Sequence, residues 1–341
     1  MQVPEADREE ILQCVSAAGA ISAIDGYLEA IHLAWKQRQA RRAASYLTGF
    51  ADGTDTDGYQ QALAELNAVA RAEQGSAELP PEDLVKDYLE GTSRKPIPTP
   101  YGAINQALGG GLMPGTLTLL GGHTSHGKSL IADQLAEIAG EKGRQAIVAI
   151  TEMGAIERIA RYMQRHMIVE SRRFLARQLS PQESEQAIEA AKNIPFRIVE
   201  VAGVPIESIV SMILSERPDL FILDMFHHVS TDTAGNRAEQ LGHLSRSLKQ
   251  AAVKAKTAVV AVVHLNEKRV EDAVRPRPTL GDIRESGSPK NDADNVMFVW
   301  RHQNQDTGEL ETTGEVYLAK ARSGTLAKQK VEFDPTRLRI I

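Results

Sequence analysis

The stretch LTLLGGHTSHGKSL, residues 117–130, decides the fold of this chain. An apolar run, a glycine-rich loop and the start of a segment with helical periodicity follow one another here. The loop satisfies the pattern G-x4-G-K-S with Gly122, Gly127, Lys128 and Ser129. Glycines at this spacing let successive backbone N–H groups turn toward a phosphate, and the helix that follows adds the partial positive charge of its N-terminus. The stretch therefore predicts a strand, a phosphate-binding loop and a helix.

Phosphate chemistry predicts a role for each position of this loop. We expect Lys128 to reach the outer phosphates of ATP as a point charge, and the hydroxyl of Ser129 to ligate Mg²⁺. His123 and His126 lie inside the loop, where we expect their side chains to face solvent rather than to bind a metal. The residues predicted to contact the nucleotide are Gly122, Ser125, His126, Gly127, Lys128, Ser129 and Leu130.

Three further apolar runs end in polar residues that suit ATP hydrolysis. DLFILDMF places Asp224 at a strand end, where it could hold the water shell of Mg²⁺ or merely cap the next helix. QAIVAITEM places Glu152 at a second strand end, where a carboxylate could orient or deprotonate the attacking water. AVVAVVHLN places His264 at a third, where it could sense the γ-phosphate or serve as a structural histidine. Ligands of α/β sheets bind at such strand ends.

The composition is that of an ordinary globular protein and excludes several other classes. The chain has 341 residues, of which 42% are apolar and 25% are charged. Its single cysteine, Cys14, excludes an internal disulfide framework and suits a reducing cytosol. We find no apolar run of about 18 residues and no signal-peptide core, so we expect a cytoplasmic protein without membrane contact. The net charge of −6 disfavours a nucleic-acid coat protein, although a local basic surface would still bind nucleic acid.

From Tyr101 onward, apolar runs typical of strands alternate with helical patterns. Continuous apolar runs indicate strands that are buried on both faces, and the alternation indicates a mostly parallel α/β sheet. The last three runs have short connections, which predicts an antiparallel edge. In chain order the runs are GTLTLLGG, QAIVAITE, PFRIVEV, DLFILDMF, AVVAVVHL, DNVMFVW, GEVYLAKAR and QKVEFDP, with one helix expected in each of the gaps between the first five.

Residues 1–78 are predicted to form a small all-helical N-terminal region. EADREEILQCV predicts a first helix, IDGYLEAIHLAWKQRQARRAASYLTGF a second, and YQQALAELNAVARAE a third, with the turn ADGTDTDG between the last two. The basic stretch KQRQARR is typical of a solvated helix face, with a nucleic-acid patch as the alternative.

Residues 79–98 are predicted to form a short linker helix followed by a proline-rich linker, and residues 99–341 an ATPase domain. ELPPEDLVKDYLEG starts with prolines and acidic residues and ends at a glycine, so it predicts one amphipathic helix over 82–90. Its apolar face requires a partner. That partner is either its own domain or a neighbouring subunit.

These motifs, in this order, resemble the RecA-like motor domain of DnaB-type replicative DNA helicases over roughly residues 96–341. TPYGAINQALGGGLMPGTLTLLGG is similar to the family's entry into the Walker A strand, TEMGAIERIAR to its glutamate motif, and FILDMF to its Walker B strand. RPRPTLGDIRESGSPKNDADNVMFVWR and LAKARSG resemble its most characteristic C-terminal motifs. The fold class implied is a RecA-like P-loop NTPase with a mostly parallel central sheet.

The resemblance implies roles position by position. Glu152 would activate water, and Lys320 and Arg322 would reach into the neighbouring subunit's site, with Arg322 as the arginine finger. The catalytic set is then Glu152, Lys128, Arg322, Lys320 and His264, and the Mg²⁺ set is Ser129 and Asp224. The loop implied to hold the backbone of single-stranded DNA contains Arg284, Glu285, Ser286 and Gly287.

Several stretches depart from the family pattern. We expect no room for the globular head that precedes the helical hairpin in relatives, which puts in doubt the primase contact of that region. His264 stands where relatives usually carry glutamine, and DMFHH replaces the usual run after the Walker B acid. These departures favour a divergent bacterial, plasmid or phage member.

The resulting expectation is an ATP-driven DNA helicase that forms a ring, a hexamer by analogy. It would translocate 5′ to 3′ on single-stranded DNA and unwind duplex during replication, with a helicase loader as a further possible partner. One alternative is a RecA-like DNA-dependent ATPase that forms filaments for strand exchange or remodelling. The other is a truncated paralogue that regulates a replicative helicase.

Overall fold

A computed structural model describes residues 24–73, 81–89, 95–167, 169–231, 235–266, 275–283 and 289–341. The chain divides into two compact units between Asp87 and Tyr88. The predicted helix EADREEILQCV lies outside the described residues.

Helices α1 (Ile24–Ala51) and α2 (Gly58–Glu73) of the first unit pack against each other as a hairpin. Small side chains lie at the contact, where Ala43 and Ala62 are buried. The turn between the helices is closed by backbone hydrogen bonds, including those from the N–H groups of Thr54 and Asp55 to the carbonyl of Gly49. Helix α3 (Pro81–Leu89) follows, and the division between the two units falls within it.

A nine-stranded sheet forms the centre of the second unit, in the order β3-β2-β4-β5-β1-β6-β7-β8-β9. The pairs from β3 to β6 are parallel, and those from β6 to β9 are antiparallel. The strands are β1 (Leu117–Gly121), β2 (Ala146–Ile150), β3 (Arg197–Glu200), β4 (Leu220–Asp224), β5 (Ala258–Val263), β6 (Asn295–Gln303), β7 (Leu310–Ala321), β8 (Lys328–Asp334) and β9 (Arg339–Ile340).

Helices cover both faces of this sheet. They are α4 (Gly102–Ala107), α5 (Lys128–Glu141), α6 (Ala155–Met167), α7 (Ser171–Leu175), α8 (Pro181–Lys192), α9 (Ile206–Glu216), α10 (Arg237–Ala255) and α11 (Pro289–Asp292). Local capping fixes some of their ends: Ser180 with Glu183, and Asn236 with Glu239, form capping boxes at the starts of α8 and α10.

Each central strand contributes alternate side chains to two separate cores. Leu120 joins the cluster that includes Leu135 of α5, whereas Leu119 joins the cluster that includes Ile209 of α9 and Leu244 of α10. Every residue of β1, β2, β4 and β5 is buried. Burial on both faces explains why these strands are apolar throughout rather than alternating.

The predicted sheet is confirmed: the last three runs pair as the expected antiparallel edge, β6-β7-β8, and β6 pairs in parallel with β1. Two differences remain. Strand β9 was not predicted, since only two residues of TRLRII pair with β8. The gap between β2 and β3 holds three helices rather than one, because a turn at residues 176–177 ends α7 and Pro181 begins α8. None of the described helices is long and apolar enough to cross a membrane.

Candidate active site

The phosphate-loop motif lies at the carboxyl end of β1 and leads directly into α5. Two of its residues have left-handed backbone conformations, Ser125 with φ of 67° and Gly127 with φ of 98°. A Cβ atom at Gly127 would lie 2.9 Å from the ring of Phe333 on β8, so both the backbone and the packing require glycine there. The loop thus has the strand, turn and helix context that phosphate binding requires.

The side chain of Lys128 lies back over this loop and is largely buried. Its ammonium group donates hydrogen bonds to the carbonyl oxygens of Gly122 at 2.9 Å and His123 at 3.1 Å. Carbonyls are modest partners for an ammonium ion, and the phosphates of a nucleotide would compete for it with full negative charges. This position suits the predicted role of the lysine.

The prediction that the two loop histidines face solvent is wrong. His126 is only 1% exposed, and its Nδ1 accepts a hydrogen bond of 2.9 Å from the backbone N–H of Arg301 on β6. Burial, together with the nearby positive charges of His123, Arg275 and Lys128, lowers the pKa of His126 to about 3. His123 is also buried, with Nε2 at 2.9 Å from the carbonyl of Pro276. Both side chains thus anchor the loop to its surroundings.

Asp224 ends β4 and is almost fully buried. The hydroxyl of Thr151 accepts from the N–H of Met225 at 2.8 Å, and the N–H of Thr151 donates to the carbonyl of Asp224 at 2.9 Å. These bonds join the ends of β2 and β4 around the cis peptide between Asp224 and Met225. Within the described part of the chain, Oδ1 of Asp224 is buried without a hydrogen-bond partner. An acceptor in that position and the hydroxyl of Ser129 are oxygen donors of the kind Mg²⁺ prefers, so the two residues fit this ion.

The other carboxylate oxygen of Asp224 is held by Arg158 of α6. The guanidinium of Arg158 is 1% exposed and bridges Oδ2 of Asp224 and Oδ1 of Asp133, each at 2.5 Å. Burial alone would lower the pKa of Arg158, but the carboxylates of Asp133 and Asp224 raise it above its ordinary value. Arg158 is therefore a charged link between the strand end and helix α5.

A second arginine extends this buried charge network. Arg165 of α6 pairs with Glu137 of α5 and lies 3.5 Å from Asp133, while its Nε donates to the carbonyl of Leu338 at 3.1 Å. The network ties α5, which begins at the phosphate loop, to α6, which follows the turn containing Glu152. Two arginines face three carboxylates in this network, so the loss of either arginine would leave an excess of two negative charges.

Glu152 comes after β2 and His264 comes after β5, the two strands that flank β4 in the sheet. Glu152 is exposed and His264 is half-buried. A ligand atom of Glu152, one of His264 and one of His228, which follows β4, all lie within 4.8 Å of one another. The backbone N–H of His264 donates to Nδ1 of the buried His227 at 3.2 Å. The strand ends thus converge as the sequence predicts, although His228 was not among the predicted site residues.

Lys320 and Arg322 lie elsewhere in this chain. Lys320 is the last but one residue of β7, and Arg322 follows the strand. The register pairs Lys320 with Val296 at the start of β6, at the end of the strands opposite the phosphate loop. The ammonium of Lys320 donates to the carbonyls of Lys290 at 2.7 Å and Ala293 at 2.6 Å. Arg322 contacts Asp294 at 3.1 Å with half of its side chain exposed. Neither residue joins the site formed by its own chain. The four predicted DNA-contact residues, 284–287, lie outside the described residues.

Comparison with known proteins agrees with this geometry. The model of the family described as the DnaB-like helicase C-terminal domain matches residues 96–340. The chain belongs to this family.

Relatives and solved structures of DnaB-like proteins show how far the similarity extends. The replicative DNA helicase DnaB of Mycoplasma genitalium is 27% identical over 242 residues, which cover 65% of this chain and 51% of the relative. DnaB of Haemophilus influenzae is 35% identical over 100 residues, 29% of this chain and 21% of its own. A solved DnaB-like replicative helicase, studied with primase, superposes with a TM-score of 0.75 at 21% identity, covering 98% of this chain and 82% of that one. A solved ATPase domain gives 0.69 at 22% identity, covering 78% of this chain and 99% of that one.

The chain spans about half the length, or less, of the first curated DnaB relatives it matches. The fold is the RecA-like one of the DnaB-like family, with a mostly parallel central sheet.

Arg158 and its partners are the part of the DnaB-like site that sequence reasoning missed. Arg158 lies within the stretch TEMGAIERIAR, six residues after Glu152. The signal that would have found it is a charged residue among the apolar positions of α6, matched by Asp133 among those of α5. A buried charge requires a partner, and the two helices supply each other's.

Proposed function

We propose that this chain is the ATP-hydrolysing motor of a replicative DNA helicase. The observation that carries the proposal is the convergence of four groups at one sheet edge: the phosphate loop with Lys128 after β1, Glu152 after β2, Asp224 at the end of β4, and His264 after β5. Membership of the DnaB-like family supports DNA unwinding as the use of this site.

Each group has a chemical task in this proposal. Lys128 would exchange the loop carbonyls for the outer phosphate oxygens of ATP. Ser129 and Asp224 would hold Mg²⁺, which supplies charge neutralisation on those phosphates. Glu152, whose side chain is exposed, would take the proton of the attacking water. His264 would lie near the γ-phosphate and would couple the position of the end of β5 to whether that phosphate is present.

The position of Lys320 and Arg322 supports a subunit-shared site. Because both lie at the end of the strands opposite their own phosphate loop, a ring or another head-to-tail assembly would bring them to the next subunit's nucleotide. A finger supplied in trans would make hydrolysis depend on assembly. We further propose that residues 284–287 hold single-stranded DNA, that residues 1–78 act as a helical hairpin region, and that residues 79–98 link it to the motor.

Single-stranded DNA should stimulate ATP hydrolysis by the full chain, and Glu152→Gln should abolish the turnover. General-base catalysis contributes roughly 10²- to 10⁴-fold, so we expect kcat to fall at least 100-fold while ATP affinity stays within a few-fold. Glu157→Gln, which changes an exposed glutamate of α6, is the matched control and should leave kcat unchanged. Turnover that DNA does not stimulate, or that survives Glu152→Gln, would overturn the proposal.

A further inference from the structure

The cluster of Glu152, His228 and His264 has a second chemical capacity that ATP hydrolysis does not explain. Its ligand atoms come from the ends of three adjacent strands, β2, β4 and β5, and all lie within 4.8 Å of one another. We propose that these three side chains form a binding site for a transition-metal ion of the zinc class.

The donor set favours zinc over magnesium. Two imidazole nitrogens and one carboxylate oxygen suit Zn²⁺ and other borderline-soft ions, whereas Mg²⁺ prefers oxygen ligands in octahedral geometry. Bonds of about 2.0–2.1 Å in a tetrahedral site place ligand atoms about 3.3 Å apart. The three atoms must therefore close by up to about 1.5 Å, which rotation of the exposed Glu152 and His228 side chains toward the half-buried His264 would supply. Three protein ligands leave the fourth position to water or a phosphate oxygen.

The surrounding backbone holds the three ligands in place while leaving their side chains accessible. Thr151 binds the Asp224–Met225 peptide and so joins the turn that carries Glu152 to the turn that carries His228. His227 points inward and accepts the backbone N–H of His264, so it fixes the third strand end relative to the second. His228, the next residue, is exposed beside His264, with 5.7 Å between the ring centroids. Of these two adjacent histidines, His227 therefore has a structural role and His228 serves as a metal ligand.

The loop histidines are unsuited to compete for the ion. Nδ1 of His126 is occupied by the N–H of Arg301, and Nε2 of His123 lies 2.9 Å from the carbonyl of Pro276. Both rings are buried. A metal ion added to the protein should therefore choose the strand-end cluster over these two.

Occupation of this site would stop ATP turnover, a consequence that rests on the proposed role of Glu152. A carboxylate that donates its lone pair to a metal is no longer available to take a proton from water. The phosphate loop and Lys128 are not ligands, so the nucleotide would remain bound. Zinc would therefore act as an inhibitor of turnover rather than as a competitor of ATP.

Titration of the nucleotide-free full chain with Co²⁺ tests the site itself. Tetrahedral Co²⁺ absorbs visible light strongly, and Zn²⁺ should displace it. We expect one equivalent to bind the wild type. The control His302→Asn, which changes a β6 histidine that contacts Thr313 of β7, should also bind one equivalent, whereas His228→Asn should bind at least tenfold more weakly. A wild type without the tetrahedral spectrum, or a His228→Asn variant that binds as the wild type does, would overturn the proposal.

ATPase assays in Mg²⁺ with and without Zn²⁺ test the consequence. In the absence of zinc, His228→Asn should hydrolyse ATP at the wild-type rate. Its half-inhibition should require a zinc concentration at least tenfold higher than that of the wild type. Equal inhibition of both proteins would refute the inhibitory role. If the chain shows no ATPase activity, the proposed function fails, while the Co²⁺ titration still decides whether the metal site exists.

Discussion

Removing the guanidinium of Arg158 should cost this protein much of its stability. Arg158→Met keeps an unbranched side chain of similar length but leaves two buried carboxylates without their shared counter-ion. Asp133 would keep only Arg165, whose Nη2 is 3.5 Å away. Asp224 would keep no ion-pair partner among the described residues. Arg158→Met thus removes one partner of a buried ion pair and leaves the other partner in place.

The expected loss of stability can be estimated from other buried ion pairs that lost one partner. Breaking a buried ion pair from one side costs about 3–5 kcal/mol, because a desolvated charge is left uncompensated. In a domain of this size each kcal/mol lowers Tm by about 2–4 °C, so a loss near 4 kcal/mol corresponds to about 8–16 °C. Saturating MgATP should recover part of it, because the cation would take over the interaction with Asp224.

Thermal and urea unfolding, followed by circular dichroism with and without MgATP, would measure the effect. Arg173→Met is the matched control, because Arg173 makes an exposed ion pair of 3.0 Å with Glu183, and solvent-screened pairs of this kind contribute little to stability. If Arg158→Met costs no more than Arg173→Met, the buried network does not hold the strand end and the reasoning is refuted.

Two further predictions concern the phosphate loop. Lys128→Ala should weaken nucleotide binding at least tenfold in a fluorescence titration with a labelled ATP analogue, whereas Lys142→Ala, which changes an exposed lysine after α5, should bind as the wild type does. Since the pKa of His126 falls to about 3 in the folded chain, folded His126 stays neutral while the unfolded chain takes up a proton. Its contribution to stability is therefore complete above pH 6.5 and is lost as pH falls toward 3. His126→Gln, which keeps an acceptor for Arg301, should make the free energy of unfolding, measured by urea denaturation, less sensitive to pH by up to about 1.4 kcal/mol per pH unit. An unchanged pH slope would show that His126 is not buried neutral.

Local spacing explains why so much of the site could be predicted from the sequence. The residues predicted to bind phosphate lie within eight consecutive positions, 122–129, and Asp224 ends an uninterrupted apolar run. Such patterns depend on neighbours in sequence, and the parallel sheet then brings the strand ends together.

The parts that escaped prediction depend on segments that are distant in sequence. Arg158 is a site residue only because Asp133, 25 positions away, and Asp224, 66 positions away, lie beside it. His126 is buried because strand β6 passes over the loop, 175 positions further along the chain. No local pattern contains these contacts. The only sign of these contacts in the sequence is a charged or titratable residue at a position that the surrounding apolar pattern predicts to be buried.

Strand displacement on a forked DNA duplex tests the central claim most directly. The full chain, at concentrations that permit assembly, should separate the strands when ATP and Mg²⁺ are present, and should fail with a non-hydrolysable ATP analogue or with Glu152→Gln. If Arg322 acts on the neighbouring subunit's site, mixing Arg322→Ala subunits into the wild type should lower the unwinding rate by a larger fraction than the fraction of variant subunits in the mixture. Strand separation that needs no hydrolysis, or ATP hydrolysis without any strand separation, would contradict the account.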